Sequence, residues 1–184
     1  KKKFKGIPYF LLGHSMGSFM ARRYIMTYGM DLDGAVLCGT GSKSRLILTV
    51  GELVSNVQRA LFGDRFRSRL LRKSAFDGYL KRIPNPRTAS DWLTRDGRIV
   101  DFCRGNKYCS FLFTVNGYRT IFDVLQFIQN KCNINRIPKE LPLFFIAGGE
   151  DPVGHYGRDV QKISTAYKKA GMEMVSVKIY PQDR

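Results

Sequence analysis

The stretch FLLGHSMGSFMARRY, from Phe10 to Tyr24, decides how the chain folds. An apolar run from Ile7 to Leu12 leads into Gly13-His14-Ser15-Met16-Gly17, which has the form G-x-S-x-G. After it, Ala21, Tyr24, Ile25 and Tyr28 recur at i, i+3, i+4 and i+7 through Met16–Tyr28, while Arg22 and Arg23 take the opposite face. Gly29 supplies a stop. This order predicts a buried strand, a sharp turn and an amphipathic helix. The turn lifts the Ser15 hydroxyl above the sheet and sets the Met16 backbone N–H at a helix N-terminus, where it can stabilise an oxyanion. Gly13 and Gly17 are both expected to be required, because side chains there would crowd the turn. His14 is expected to pack as part of the turn. The plainer alternative is a tight strand–helix turn holding an inert serine.

Outward from this stretch the pattern repeats. Gly34–Cys38 reads as a second buried strand, closed by Gly39-Thr40-Gly41. Leu143–Ala147 is a third, closed by Gly148-Gly149-Glu150-Asp151-Pro152. A helix is expected over Tyr156–Ala170, with Val160, Ile163, Tyr167 and Ala170 on one face and Gly171 at its end. Val175, Val177 and Ile179 alternate with polar residues in a fourth strand. Strands alternating with helices imply a parallel sheet covered by helices, an α/β fold. Between them, residues 43–140 are arginine-rich, broken at Pro84-Asn85-Pro86, and mainly helical in pattern, most clearly over Leu53–Phe62 and Tyr118–Asn130. The expected organisation is a core made of residues 1–42 and 141–184, with residues 43–140 inserted as a cap.

A nucleophilic serine needs a base, and the base needs an orienting carboxylate. On this kind of elbow the chain order is serine, acid, histidine. Glu150 and Asp151 both follow the third strand, and Pro152 favours Asp151 by fixing the turn after it. The plainer reading of Asp151 is a cap for the next helix. The histidines are His14 and His155. His14 is badly placed as a base, and His155 is too close in sequence to Asp151 to complete a Ser–His–Asp line. The base is expected after the last strand, where the chain reads Tyr180-Pro181-Gln182-Asp183-Arg184.

Composition narrows the rest. The chain has 184 residues, 43% of them hydrophobic, enough for a packed core. The apolar run behind the lysine-rich N-terminus is too short for a signal peptide. Cys38, Cys103, Cys109 and Cys132 show no close pairing, so a zinc site is not expected and the thiols should be free and mostly buried. The net charge is +16, and residues 43–140 hold 19 Lys and Arg against 8 Asp and Glu. A solvated basic face is the plain reading; attraction to an anionic lipid surface is the functional one. Nothing resembles a nucleic-acid stacking platform. A cytoplasmic protein with peripheral membrane contact is the expectation.

Three segments together resemble one family, the bacterial lysophospholipase and monoacylglycerol lipase-like α/β-hydrolases, also called the serine aminopeptidase S33 group. They are FLLGHSMGSFMAR, DWLTRD at Asp91–Asp96, and IPKELPLFFIAGGEDPVGHYGRDV at Ile137–Val160. The resemblance implies the C-terminal part of an α/β-hydrolase with a helical cap, Ser15 as nucleophile and Asp151 as acid. KIYPQDR resembles the family's stretch that runs into His-Glu, which would set the base directly after Arg184. Asn106-Lys107 stands where the family often has aspartate and proline, and His155 where it often has asparagine.

The expected activity is hydrolysis of a carboxylic ester, with a monoacyl lipid as substrate and neither metal nor organic cofactor. Trp92, Leu93, Phe111 and Phe113 are candidates to line an apolar acyl site, with ordinary cap packing as the alternative. Two rivals remain: an aminopeptidase on the same fold, and a non-catalytic binding module.

Overall fold

A computed structural model describes residues 6–184. The described chain divides into two compact units. The first comprises the described residues up to Ser42 together with Val124–Gln182, and the second Lys43–Asp123 with Asp183–Arg184.

The first unit is built on a four-stranded sheet in the order β1-β2-β3-β4, with β1 at Phe10–His14, β2 at Gly34–Cys38, β3 at Leu143–Gly148 and β4 at Val175–Tyr180. All three pairings are parallel. The crossovers contain α1 (Met16–Tyr28) and, between β3 and β4, α7 (Arg158–Lys169). Leu37, Leu143, Phe145 and Ala147 of the two central strands are buried, as parallel strands covered by helices require.

Four expectations are corrected here. The first strand is Phe10–His14 rather than Ile7–Leu12, and it is not buried. It forms one edge of the described sheet, with Phe10 62% and Leu12 69% exposed, while Gly13 faces Ala21 of α1. In α1 the buried face is Ser18, Ala21, Arg22, Ile25 and Met26, whereas Tyr24 and Tyr28 are exposed. α7 begins two residues later than expected. His155, Tyr156 and Gly157 all have positive φ, so the chain cannot enter a right-handed helix before Arg158. The thiols are free but not mostly buried: Cys38 and Cys103 are half-buried, and Cys109 and Cys132 are exposed.

The second unit holds α2 (Arg45–Phe62), α3 (Arg69–Phe76), α4 (Gly97–Gly105) and the first part of α5 (Val115–Gln129). Ser44, Ser68 and Asp96 cap the first three by accepting backbone N–H bonds in their first turns. Its core gathers Leu71, Val115 and Tyr118, with Val54, Phe113 and Phe122 packed on them. Gly51 lets α2 approach α5, since a Cβ there would stand 2.7 Å from the Phe122 ring. Along this stretch the second unit ends at Asp123. Val124, Leu125, Ile128 and the residues of α6 (Lys131–Ile134) pack with the first unit, where Ile134, Ile137 and Leu141 are buried.

Candidate active site

Ser15 sits between β1 and α1 with φ 51° and ψ −121°, a left-handed conformation that costs a non-glycine residue about 1–3 kcal/mol. Three contacts hold it there. Its N–H donates to the Cys38 carbonyl at 2.9 Å, and its own carbonyl accepts both the Ser18 N–H at 2.8 Å and the Ser18 hydroxyl. Gly13 has no room for a side chain: a Cβ would lie 2.5 Å from the Gly17 carbonyl oxygen and 2.7 Å from Ala21 Cβ. Gly17 differs from expectation. Nothing among the described residues lies within 4 Å of a Cβ placed there, so crowding does not explain this glycine. Met16 is the first residue of α1, so its N–H is among those a helix leaves without an internal acceptor.

Asp151 leaves the end of β3 in a loop that turns back on itself. Its Oδ1 accepts the Val153 N–H at 2.8 Å, and its carbonyl accepts the Tyr156 N–H at 2.8 Å. Oδ2 lies 3.5 Å from where a Cβ on Gly39 would stand, and His14 Nε2 lies 3.8 Å from the same point. Gly39, with φ 58°, therefore leaves open the space between the carboxylate and the elbow. Burial pushes the Asp151 carboxyl up, against the Val153 N–H bond and the charge of His14, which lower it. Burial, and then the charge of Asp151, push the nearby Cys38 thiol up. Glu150, the neighbouring candidate, is exposed. Ser15 and Asp151 thus follow β1 and β3 at the C-terminal edge of a parallel sheet, with β2 between them. Ligands of open α/β sheets bind at that edge.

His155 is engaged elsewhere. Its Nδ1 lies 2.7 Å from Asp159 Oδ2, which also accepts the Ser42 N–H at 2.8 Å. Among the described residues no group of three or more His, Cys, Asp or Glu side chains is arranged to hold a metal ion.

Residues beneath the elbow were not singled out in the sequence. Arg22 is 1% exposed. Its guanidinium donates to the Tyr167 hydroxyl at 3.1 Å and the Gly41 carbonyl at 3.0 Å, with longer contacts to Thr40 Oγ1 at 3.5 Å and the Ile128 carbonyl at 3.4 Å. Thr40 and Gly41 in turn bear on the acid loop. A Cβ on Gly41 would stand 2.4 Å from the Val153 carbonyl oxygen, and one on Gly154 would stand 2.9 Å from that of Thr40. The helix that follows Ser15 and the loop that carries Asp151 therefore share one support.

In the second unit, Trp92 stacks on Phe76 at 5.5 Å and meets Tyr79 edge-on at 5.0 Å. Phe113 packs between Phe111 and Tyr118. Leu93 and Phe111 are exposed.

The sequence profile of the hydrolase family described as serine aminopeptidase, S33, matches residues 1–184. The chain belongs to this family. Among solved structures, this S33 chain is similar to a thermostable carboxyl esterase from Bacillus coagulans, at 28% identity and a TM-score of 0.90, over 100% of this chain and 59% of that one. It is similar in fold to a lipase in an open form, at 23% identity and TM-score 0.84, over 99% and 59% of the two chains. It is similar in fold also to the monoglyceride lipase of Saccharomyces cerevisiae, at 17% identity and TM-score 0.66, over 99% and 55%. The chain thus spans less than two thirds of the length of these structures, and it has their α/β-hydrolase fold. No curated protein matches it at a significant level. Among the described residues no helix is long and apolar enough to cross a membrane.

Proposed function

We propose that the complete protein is a serine hydrolase of carboxylic esters. Ser15 Oγ attacks the acyl carbonyl carbon while a histidine takes the hydroxyl proton. The Met16 N–H holds the resulting oxyanion. The histidine returns the proton to the departing alcohol, then draws one from the water that releases the acid. Asp151 orients that histidine and offsets its charge. The histidine comes from sequence beyond Arg184, because His155 is paired with Asp159 and His14 lies within the elbow itself.

The observation that carries this reading is the positive φ of Ser15 at a strand–helix turn, beside a half-buried carboxylate at the same edge of the sheet. An inert serine would have no reason to hold a strained backbone there. A monoacyl lipid is the favoured ester. The similar proteins include a carboxyl esterase and a monoglyceride lipase, and Leu93 and Phe111 offer exposed apolar surface in the second unit, while Trp92 and Phe113 are packed within it. An aminopeptidase is the second reading, favoured by the family's description. It would use carboxylates to hold a substrate ammonium, and residues 43–123 contain 16 Lys and Arg against 7 Asp and Glu.

The test is hydrolysis of a monoacylglycerol, a lysophospholipid, a p-nitrophenyl ester and an aminoacyl-p-nitroanilide by the complete protein and its Ser15→Ala variant. Ester turnover lost in the variant is expected. Turnover of the anilide alone would establish the peptidase. No turnover, with Ser15 unreactive toward a fluorophosphonate, would make the protein a non-catalytic module.

A further inference from the structure

Directly after the loop of Asp151 the backbone takes a costly path. His155, Tyr156 and Gly157 have φ of 48°, 60° and 81°, three left-handed residues in succession, of which only the last is glycine. Such a run persists where its surroundings fix it, and strain of this kind gathers at functional sites. The fixing group is Asp159, the second residue of α7, which is 8% exposed. Its Oδ2 lies 2.7 Å from His155 Nδ1 and accepts the Ser42 N–H at 2.8 Å, and its own N–H donates to the Gly154 carbonyl at 3.0 Å. An ionised carboxylate can only accept, so His155 carries a proton on Nδ1 and donates through it.

Three successive residues after β2 receive this part of the chain. The Thr40 carbonyl faces Gly154, Gly41 faces the Val153 carbonyl, and the Ser42 N–H bonds Asp159. The first two contacts limit how closely the segments approach. The third is directional and, through His155, reaches the strained turn itself. One more bond leads from there to the acid: the Tyr156 N–H, next in the chain after His155, donates to the Asp151 carbonyl at 2.8 Å. Supporting α7 requires no buried charge, since a carboxylate in the first turn of a helix acts from the surface. The turn requires no histidine, since glycine takes a positive φ without strain. Burying a carboxylate beside an imidazole gains little net stability over apolar packing. What the pair supplies is the orientation of the segment behind Asp151.

We propose that His155 and Asp159 are positioning residues for Asp151, holding the turn at residues 155–157 so that the carboxylate stays aimed from the end of β3. This rests on the ester reading of Ser15 and Asp151, and neither His155 nor Asp159 touches the reacting atoms. The complete protein is compared with His155→Gly, His155→Asn, Asp159→Ala and the double variant of His155→Gly with Asp159→Ala, by ester hydrolysis and melting temperature. Glycine eases the backbone but removes the donor. His155→Gly should therefore stay folded, with kcat at least about tenfold lower and KM within about twofold of the parent. Asparagine tolerates the left-handed conformation, and its amide N–H stands where Nδ1–H stood, so His155→Asn should recover kcat to within about threefold. In the Asp159→Ala background, His155→Gly should change kcat no further, because the bond is already gone. Should Asp159→Ala fail to fold, the two single variants at 155 decide alone. Parent-like kcat in His155→Gly would overturn the proposal and leave the ester reading standing, and so would an asparagine variant as slow as the glycine one. A parent that hydrolyses no ester would overturn both.

Discussion

Arg22→Met and Arg22→Lys, compared in the complete protein, test how the candidate site is supported. Arg22 is buried among neutral acceptors: the Tyr167 hydroxyl, the Gly41 and Ile128 carbonyls and the Thr40 hydroxyl. Two of these bonds are well formed, at 3.1 and 3.0 Å, and two are long. Methionine fills similar volume and carries no charge. It leaves the Gly41 carbonyl and the Tyr167 hydroxyl without their donor, at about 1–3 kcal/mol each. Relief of guanidinium desolvation offsets part of this, and no buried charge is stranded, so the net loss should be about 2 kcal/mol. Lysine keeps the charge and its desolvation penalty. Its single ammonium cannot serve two acceptors held apart by a planar fork, so the loss should be larger, about 4 kcal/mol.

Urea unfolding followed by circular dichroism gives both values, and ester hydrolysis on the same samples gives the functional consequence. Because Arg22 holds Gly41, and Gly41 abuts the acid loop, both variants should lower kcat more than they raise KM. Tyr167→Phe removes one acceptor and should cost about 1 kcal/mol. A lysine variant at least as stable as the methionine variant would refute the reasoning. It would mean that charge, and not the fork geometry, holds this corner together.

Three further outcomes follow from the same geometry. Gly13→Ala should yield little folded protein, because its Cβ would collide with the Gly17 carbonyl, while Gly17→Ala should fold in normal yield; soluble expression and melting temperature measure both. Gly41→Ala pushes on the Val153 carbonyl and so on the loop of Asp151, and should cut ester turnover more than tenfold while the protein remains folded; wild-type turnover would show that the loop can shift harmlessly. Burial holds the Asp151 carboxyl above the ordinary carboxylate range, so the folded state retains its proton to higher pH than the unfolded chain. Its contribution is then most favourable at low pH and is lost as pH rises through the raised value. Asp151→Asn should therefore raise the melting temperature at pH 7, where the variant avoids burying a charge, and the gain should vanish in acid. A gain independent of pH would contradict this account.

The parts legible in the sequence are those where a local pattern and its physical cause coincide. G-x-S-x-G between an apolar run and an amphipathic segment marks the elbow because only a strand–turn–helix satisfies all three. Gly148 to Pro152 marks the acid loop because an apolar strand stops there. What local pattern could not carry is the identity of the neighbours. Tyr24 and Tyr28 recur at the helical period with Ala21 and Ile25, and so read as core. Yet the buried face of α1 turns toward Arg22 because acceptors from Thr40 and Gly41, from Ile128 and from Tyr167 converge there from three distant places in the chain. No window around Arg22 contains them. The run from Ile7 to Leu12 read as buried for a related reason: burial of a strand depends on what lies beside it, and β1 has a neighbour on one side only among the described residues.

Gly39-Thr40-Gly41 shows how these two kinds of reading meet. As sequence it is punctuation that ends β2. In the structure each residue has a different task. Gly39 takes a positive φ and clears space before Asp151, Thr40 approaches Gly154, and Gly41 approaches Val153 so closely that a methyl group would not fit. Gly41 is not among the glycines with positive φ, so conformational freedom does not explain it. Contact does. The same holds for Gly149, where a Cβ would stand 2.5 Å from the Pro181 carbonyl oxygen. The glycines that follow β2 and β3 are therefore surfaces as much as turns. Gly39 and Gly41 let the loop of Asp151 settle onto the end of β2, and Gly149 lets it close against Pro181 after β4. A substitution scan read by ester turnover should find Gly41 and Gly149 as intolerant as Gly13, although neither belongs to the elbow motif.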